Sequence, residues 1–311
     1  MKRINLFGVA LLTLATLLAG CGNGAQRETE TAQVADSIPS IPYVTLSNGM
    51  QMPQLGCGTF MLKETTPACI KHAIEVGFRL FDTAQGYDNE AEVGQGITES
   101  GIARSELFVT SKVSTDAMRN GTVRESLDKS ISALGGYIDL MLIHWPVAGK
   151  VEETWKILEE YVDAGKIRAI GLSNFNPHHI ADLLKYARIK PVVNQIEIHP
   201  YMTQQEVVGY TFAQDIQVEG WAPLGQGGTV LQDETIARIA EKHGKSIAQV
   251  ILRWNMQRGL IAIPRCDNPD YTAENIDIFD FELSPVDMSI INGLNKNERT
   301  YEKNDPDNFP W

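Results

Sequence analysis

Gly77-Phe78-Arg79-Leu80-Phe81-Asp82-Thr83-Ala84-Gln85-Gly86-Tyr87-Asp88-Asn89-Glu90 decides how this chain folds. Residues 79–81 read as a short buried strand, and Asp82 stands at its end. A turn of small and polar residues follows and carries Tyr87. Glu90 opens a helix, with its acid in the first turn, where the helix dipole favours one. Two later apolar runs end the same way, 108–111 at Lys112 and 140–143 at His144. A carboxylate, an ammonium and an imidazole therefore close three successive strands. In a parallel (β/α)8 barrel those ends converge on one face, where catalytic groups collect. With the phenol just past the first strand, they make a proton-transfer site. Tyr87 is its natural acid if the ammonium lowers the phenol's pKa.

Working outward, eight strand–helix alternations can be read. The strands expected are 55–58, 79–81, 107–111, 138–143, 169–172, 192–196, 217–220 and 260–263. Several are continuous apolar runs, as strands buried on both faces must be. Leu127, Ile131 and Leu134 fall on one helical face, as do Trp155, Leu158 and Val162. Residues 236–243 and 247–256 both read as helices, so an extra helix precedes the eighth strand. Asn48-Gly49 between two short apolar runs predicts a hairpin, placed to plug the barrel's bottom. The fold class is α/β, a TIM barrel with an N-terminal hairpin and extra helices near the C-terminus, spanning 42–311. The polar tail from Asn295 ends in Asn308-Phe309-Pro310-Trp311, whose aromatics are expected to dock on the barrel.

Composition is that of a globular protein, 43% hydrophobic and 21% charged in 311 residues. A net charge of −12 excludes nucleic acid as a partner, because binding it needs clustered Lys and Arg. Lys2 and Arg3 precede an apolar run at 6–18 that is too short to span a bilayer as a permanent helix. The run closes in Leu18-Ala19-Gly20-Cys21, which resembles a bacterial lipobox. The resemblance implies a lipoprotein signal peptide at 1–20, lipidation of Cys21 and a place in the cell envelope. Gly22 after the cysteine hints at the outer membrane, and contact with the membrane is expected through the lipid only. Residues 21–41 are polar and read as a disordered tether. Cys57, Cys69 and Cys266 are odd in number and lack metal-ligand spacing, so they read as buried free thiols. His178, His179 and His199 read as structural, because no carboxylate stands beside them at ligand spacing.

Taken together, the motifs resemble the aldo-keto reductases from about Val44 to the C-terminus. They are Gly77-Phe78-Arg79, Asp82-Thr83-Ala84, Tyr87, Asn89-Glu90, Ser111-Lys112, His144-Trp145-Pro146, Gly171-Leu172-Ser173-Asn174-Phe175 and Asn194-Gln195-Ile196-Glu197. The bacterial aldehyde and ketone reductases look nearest, because Trp221-Ala222-Pro223-Leu224-Gly225 begins with Trp. The resemblance implies that Tyr87 protonates the carbonyl oxygen, Lys112 and Asp82 tune it, and His144 orients the substrate. It implies that Ser173, Asn174 and Gln195 hold a nicotinamide carboxamide and that Trp221 stacks on the ring. Leu224 and Gly225 would begin a loop over the pyrophosphate, and Glu274 and Asn275 would meet the adenine. Phe60 and Trp145 match substrate-pocket aromatics, and Ser114 stands where many relatives are aromatic, which opens the pocket.

Where the family favours Pro-Lys-Ser and a later Arg, this chain has Pro264-Arg265-Cys266 and Tyr271. NADPH remains the expected cofactor, with Arg265 on its 2′-phosphate, but with a looser preference and measurable use of NADH. The expected partner is a small-molecule carbonyl substrate, no metal is implied, and a monomer is expected. Two other classes are carried alongside. One is a noncatalytic cofactor-binding redox sensor or partner-binding protein. The other is a metal-dependent hydrolase using Asp82, His144 and His199.

Overall fold

The computed structural model describes residues 40–310. The lipobox with Cys21, the signal segment, nearly all of the tether and Trp311 lie outside the described residues. Ile41, read as the tether's end, is instead buried in the core.

An antiparallel hairpin comes first, β1 (Tyr43–Thr45) against β2 (Gln51–Pro53). Gly49 makes its turn at φ +85°, a left-handed conformation that costs glycine little. Leu46 and Met52 of this hairpin are buried with Leu80, Leu140, Leu142, Val193 and Ile261, residues of the barrel strands. The hairpin thus closes the barrel's floor, as its position in the sequence suggested.

Eight parallel strands follow in sequence order: β3 (Cys57–Gly58), β4 (Leu80–Asp82), β5 (Phe108–Val113), β6 (Ile138–Ile143), β7 (Ile167–Ser173), β8 (Val193–Glu197), β9 (Gln217–Trp221) and β10 (Ile261–Ile263). The bridges Leu55↔Ala262 and Gly58↔Arg265 bring the last strand back to the first. The result is an α/β barrel of the TIM type. Helices cover its outside. Among them are α1 (Thr66–Val76), α2 (Glu90–Ser100), α3 (Thr115–Asn120), α4 (Val123–Ala133), α5 (Val151–Asp163), α6 (Pro177–Leu183) and α7 (Gln205–Ala213). Between β9 and β10 stand two, α8 (Glu234–His243) and α9 (Ile247–Gln257), so the extra helix is present. After β10 come α10 (Pro269–Ile276) and α11 (Pro285–Asn292). No helix among the described residues is long and apolar enough to cross a membrane.

Two expectations need correction. Cys57 and Cys266 are not free thiols: they are joined, with 5.6 Å between Cα atoms and 209 residues between them in sequence. The cause is barrel closure, which sets β3 beside the segment after β10. Cys69 is free and only half buried. The second correction concerns β5, which runs past Ser111 through Lys112 to Val113. A lysine inside a strand breaks the apolar run that sequence reading follows. The fold tolerates it because the charge is paired within the barrel.

Candidate active site

The site is built at the carboxyl ends of β4, β5 and β6. Asp82 closes β4, and Lys112 is fully buried on β5. The lysine Nζ donates to Asp82 Oδ1 at 2.5 Å, to Thr83 O at 3.0 Å and to the Tyr87 hydroxyl at 3.3 Å. An ammonium has three protons, so these partners use all of them. Tyr87 ends the short 3-10 turn Gln85–Tyr87, after which Asp88 adopts a left-handed φ of 54°. Its phenol oxygen accepts from Lys112, and an ammonium cannot accept in return. The phenol proton therefore remains available on the cavity side. The His144 ring lies 5.7 Å from the Tyr87 ring, edge to face.

Electrostatics divide the roles. Burial pushes the Tyr87 phenol above its ordinary value, and Lys112 opposes this without reversing it. The lowered phenol expected from the ammonium is therefore not found, because burial outweighs it. Burial by itself would lower Lys112, but Asp82 and Tyr87 outweigh it and hold the ammonium above its ordinary value. His144 is driven down to about 3, first by burial and then by Lys112. Its surface opens onto the cavity, and the direction still leaves a neutral imidazole at physiological pH. Such a ring can donate a hydrogen bond without giving up its proton.

Above this quartet lies a cavity of about 1610 Å³, long enough to take in Tyr87 and His144 at one end and Arg265, Glu274 and Asn275 at the other. Ser173, Asn174, Gln195, Trp221 and Leu224 line the span between. Asn174 is held at φ +63° and is fully engaged. Its amide donates to His144 O and Ser173 Oγ, and its Oδ1 accepts from the Trp221 indole at 2.9 Å. That bond fixes the plane of a half-buried indole which faces the cavity, so Trp221 is not a core residue. Gly225 itself stands back from the cavity. Its φ of +57° makes the turn, and Gln226 and Gly227 form the lining. At Gly227 a Cβ would meet nothing within 4 Å, so the loop leaves open space beside its backbone.

Phe60 and Trp145 line the cavity beside Tyr87 and His144, with the Phe60 ring 5.1 Å from that of Tyr87. Ser114 lines it too and caps α3, its hydroxyl accepting from Ala117 N. The tail docks as expected. Phe309 stacks on Trp145 at 5.2 Å, and the Thr300 N–H donates to Glu197 Oε1 at 2.6 Å. Residues 300–304 also line the cavity, which sequence reading did not anticipate.

The tail also supplies the carboxylate that sequence spacing had not placed near His178 and His179. Asp307 Oδ1 lies 3.1 Å from His178 Nε2 and 3.4 Å from His179 Nε2. The three could surround an ion. However, the Asn176 N–H donates to His179 Nδ1, so the neutral ring carries its proton on Nε2 and cannot offer that atom to a metal. The cluster is a clasp for the tail. Asp82, His144 and His199 do not form a metal-holding group among the described residues; His199 pairs instead with Glu197 at 3.2 Å.

Three residues were missed in the sequence. Asp267 pairs with Arg265 at 2.5 Å and lines the cavity. Thr300 was passed over in a polar tail. Glu219 is wholly buried next to the quartet: Gln195 Nε2 donates to Asp82 Oδ2 at 2.7 Å and to Glu219 Oε2 at 2.8 Å. An acid two residues before Trp221 shares its strand face, and that alternation was the available signal.

Comparison with known proteins agrees with this geometry. The family model described as "Aldo/keto reductase family" matches residues 45–296. Glyoxal reductase of Bacillus subtilis (strain 168) is 50% identical over 259 residues, covering 82% of this chain and 94% of the relative. Morphine 6-dehydrogenase of Pseudomonas putida is 40% identical, over 83% of this chain and 93% of the relative. Among solved structures, a Bombyx mori aldo-keto reductase in complex with NADP superposes with a TM-score of 0.80 at 36% identity. That match covers 87% of this chain and 99% of the other.

Proposed function

This chain belongs to the aldo/keto reductase family, and from that premise we propose that it reduces aldehydes or ketones to alcohols with NADPH, using Tyr87 as the acid. Membership makes it a carbonyl-reducing oxidoreductase that uses NAD(P)H; the acid and the choice of NADPH are the proposal. The observation that carries it is the chain of contacts Asp82–Lys112–Tyr87 at a cavity of about 1610 Å³ that also reaches Arg265, Glu274 and Asn275. When bound, the nicotinamide supplies the hydride for the carbonyl carbon. The residues do the rest. Trp221 presents a fixed aromatic face for the ring, and Gln226 and Gly227 leave room for the pyrophosphate. Neutral His144 donates to the carbonyl oxygen and sets its angle. Tyr87 delivers the proton to that oxygen, and Lys112 stabilises the tyrosinate left behind. A screen of small carbonyl compounds, followed by loss of reduced-cofactor absorbance, tests the reading. No turnover with any aldehyde or ketone, despite tight cofactor binding, would favour the noncatalytic sensor instead.

Within the 264–275 segment proposed to meet the adenosine end, Arg265 is the cation offered to the 2′-phosphate. Asp267 already occupies that cation, so a phosphate must compete with a carboxylate for Arg265. A charge-assisted hydrogen bond contributes roughly 1.5–3 kcal/mol, and a half-exposed, already paired Arg belongs at the low end. Arg265→Ala is expected to lower kcat/KM for NADPH about tenfold and to leave NADH nearly unchanged. Asp267→Asn and Tyr271→Arg should each widen the preference for NADPH. Steady-state kinetics with both cofactors decide the matter; an equal loss for both in Arg265→Ala would remove Arg265 from the phosphate site.

For location, we infer that the protein is anchored in the cell envelope through lipid on Cys21. The motif at 18–21 supports this, and so does the Cys57–Cys266 pair, since such bonds persist where thiols are kept oxidised. Cys21→Ser should leave uncleaved precursor or move the protein out of the detergent phase. Mass spectrometry of the native N-terminus reads the result directly, and an unmodified Met1 on the mature protein would end the idea.

A further inference from the structure

We propose that Glu219 is a positioning residue of this site, a second carboxyl that holds Gln195 in place while neutral and hinders proton delivery by Tyr87 once ionised. The inference rests on the reading of the cavity as a carbonyl-reducing site. Its starting point is the side-chain amide of Gln195. That amide has two N–H bonds, and both are spent, one on Asp82 Oδ2 and one on Glu219 Oε2. Gln195 therefore stands between two buried carboxyls, and only its carbonyl oxygen is left to meet a cofactor amide. Its orientation is set from behind, by Asp82 and Glu219 together, rather than by the ligand.

Glu219 has no cation of its own. Its Oε1 is buried without a hydrogen-bond partner, and the residue exposes no surface. A carboxylate in that setting lacks both solvent and counter-charge, whereas the protonated acid needs neither. The groups that face it are few. From β4 comes Asp82, which repels its charge, and from β5 comes Lys112, which is already shared among three acceptors. Gln195 comes from β8, and farther along β8 Glu197 is tied to His199 and Arg299. On the other side β10 pairs through Ile261 and brings no titratable group. Burial, then Asp82, push the Glu219 carboxyl up to about 8. At neutral pH the acid keeps its proton, and the Asp82–Lys112 pair meets no second negative charge. When Glu219 ionises, its charge raises the Tyr87 phenol further and makes it a poorer acid. Reduction should therefore slow as pH rises through the Glu219 transition.

The test is the pH profile of kcat/KM for aldehyde reduction, measured for the wild type and for Glu219→Gln. Glutamine keeps the shape and an oxygen for Gln195 but cannot ionise. Near pH 9 a single group titrating at about 8 retains roughly a tenth of its protonated form, so the wild type should lose most of that limb. In Glu219→Gln the ratio of rates at pH 9 and pH 7 should rise several-fold. Glu219→Ala, which frees the Gln195 amide, should raise KM for the cofactor more than it lowers kcat. An alkaline limb at the same pH in Glu219→Gln would overturn the proposal.

A second measurement needs neither turnover nor cofactor. The infrared carbonyl signal of a protonated carboxyl should persist in the apo protein at pH 7 and vanish as pH passes about 8. Among the described residues Glu90 is the other carboxyl pushed upward, by burial, and a Glu90→Gln control separates the two. Absence of that signal in the wild type would overturn the proposal even if the Glu219 variants failed to fold. A fully active Tyr87→Phe would remove the acid assignment and leave the infrared result to stand by itself.

Discussion

Tyr87→Phe is expected to lower the rate of carbonyl reduction by a factor on the order of 10²–10⁴ while leaving cofactor binding intact. The substitution removes one oxygen and keeps the ring. That ring's contacts survive, with Phe60 at 5.1 Å, His144 at 5.7 Å and the Lys112 ammonium 4.9 Å from its centroid. What disappears is the only hydroxyl on which Lys112 acts at the cavity's end. His144 cannot take over, because an imidazole titrating at about 3 is neutral and does not release its remaining proton readily. Cofactor-binding fluorescence and steady-state reduction of an aromatic aldehyde should be measured together. Unchanged fluorescence with lost turnover assigns the phenol to the chemical step. Near-normal turnover would mean that the proton comes from elsewhere, and the proposed mechanism would fail.

Lys112→Met should do two kinds of damage that can be separated. Turnover should again fall by about 10²–10⁴, since the tyrosinate formed in the reaction would face Asp82 with no cation between them. Stability should fall by about 3–5 kcal/mol, the usual cost of leaving one member of a buried ion pair alone. For a barrel of this size that corresponds to a Tm lower by on the order of 10 °C. Adding Asp82→Asn removes the stranded charge, so the double variant should recover much of the Tm and none of the turnover. Calorimetry alongside kinetics checks both halves. Recovery of activity with stability would show that the pair serves the fold alone.

Much of this was legible in the sequence because barrel strands are buried on both faces. The strand expected at 138–143 has the bounds of β6, and its residues 140–143 form one apolar run. Asp82, Tyr87, Lys112 and His144 were legible because each follows or interrupts such a run. Local pattern says little about what closure of the barrel brings together. Cys57 and Cys266 are 209 residues apart, and Asp307 meets Asn176 across 131. Glu219 was hidden for a different reason. A glutamate within a short strand suggests a solvent-facing position, and its alternation with Trp221, the one signal against that, is short; the inward register of β9 reveals its burial. Asp267 was passed over because the motif's own residues, Arg265 and Cys266, drew the comparison with the family pattern. The pairing that restrains the arginine depends on a turn geometry that spacing does not specify.

Phe309 on Trp145 and Asp307 on the α6 histidines divide the molecule in a way that bears on how such proteins diverge. The proton transfer proposed for this site would draw on the ends of β4, β5 and β6, where Asp82, Lys112 and His144 sit. The wall that a substrate's far end would touch is partly a strand of polypeptide laid over the barrel and fastened at a few points. Apart from anchors such as Phe309, which packs against the core, exposed tail positions touch little of the barrel, so changes there are less exposed to the stability threshold that purges changes in a core. Residues 300–304 thus add to the cavity a lining segment far along the chain from the reacting groups, one that can vary with less consequence for them than Phe60 or Trp145 can.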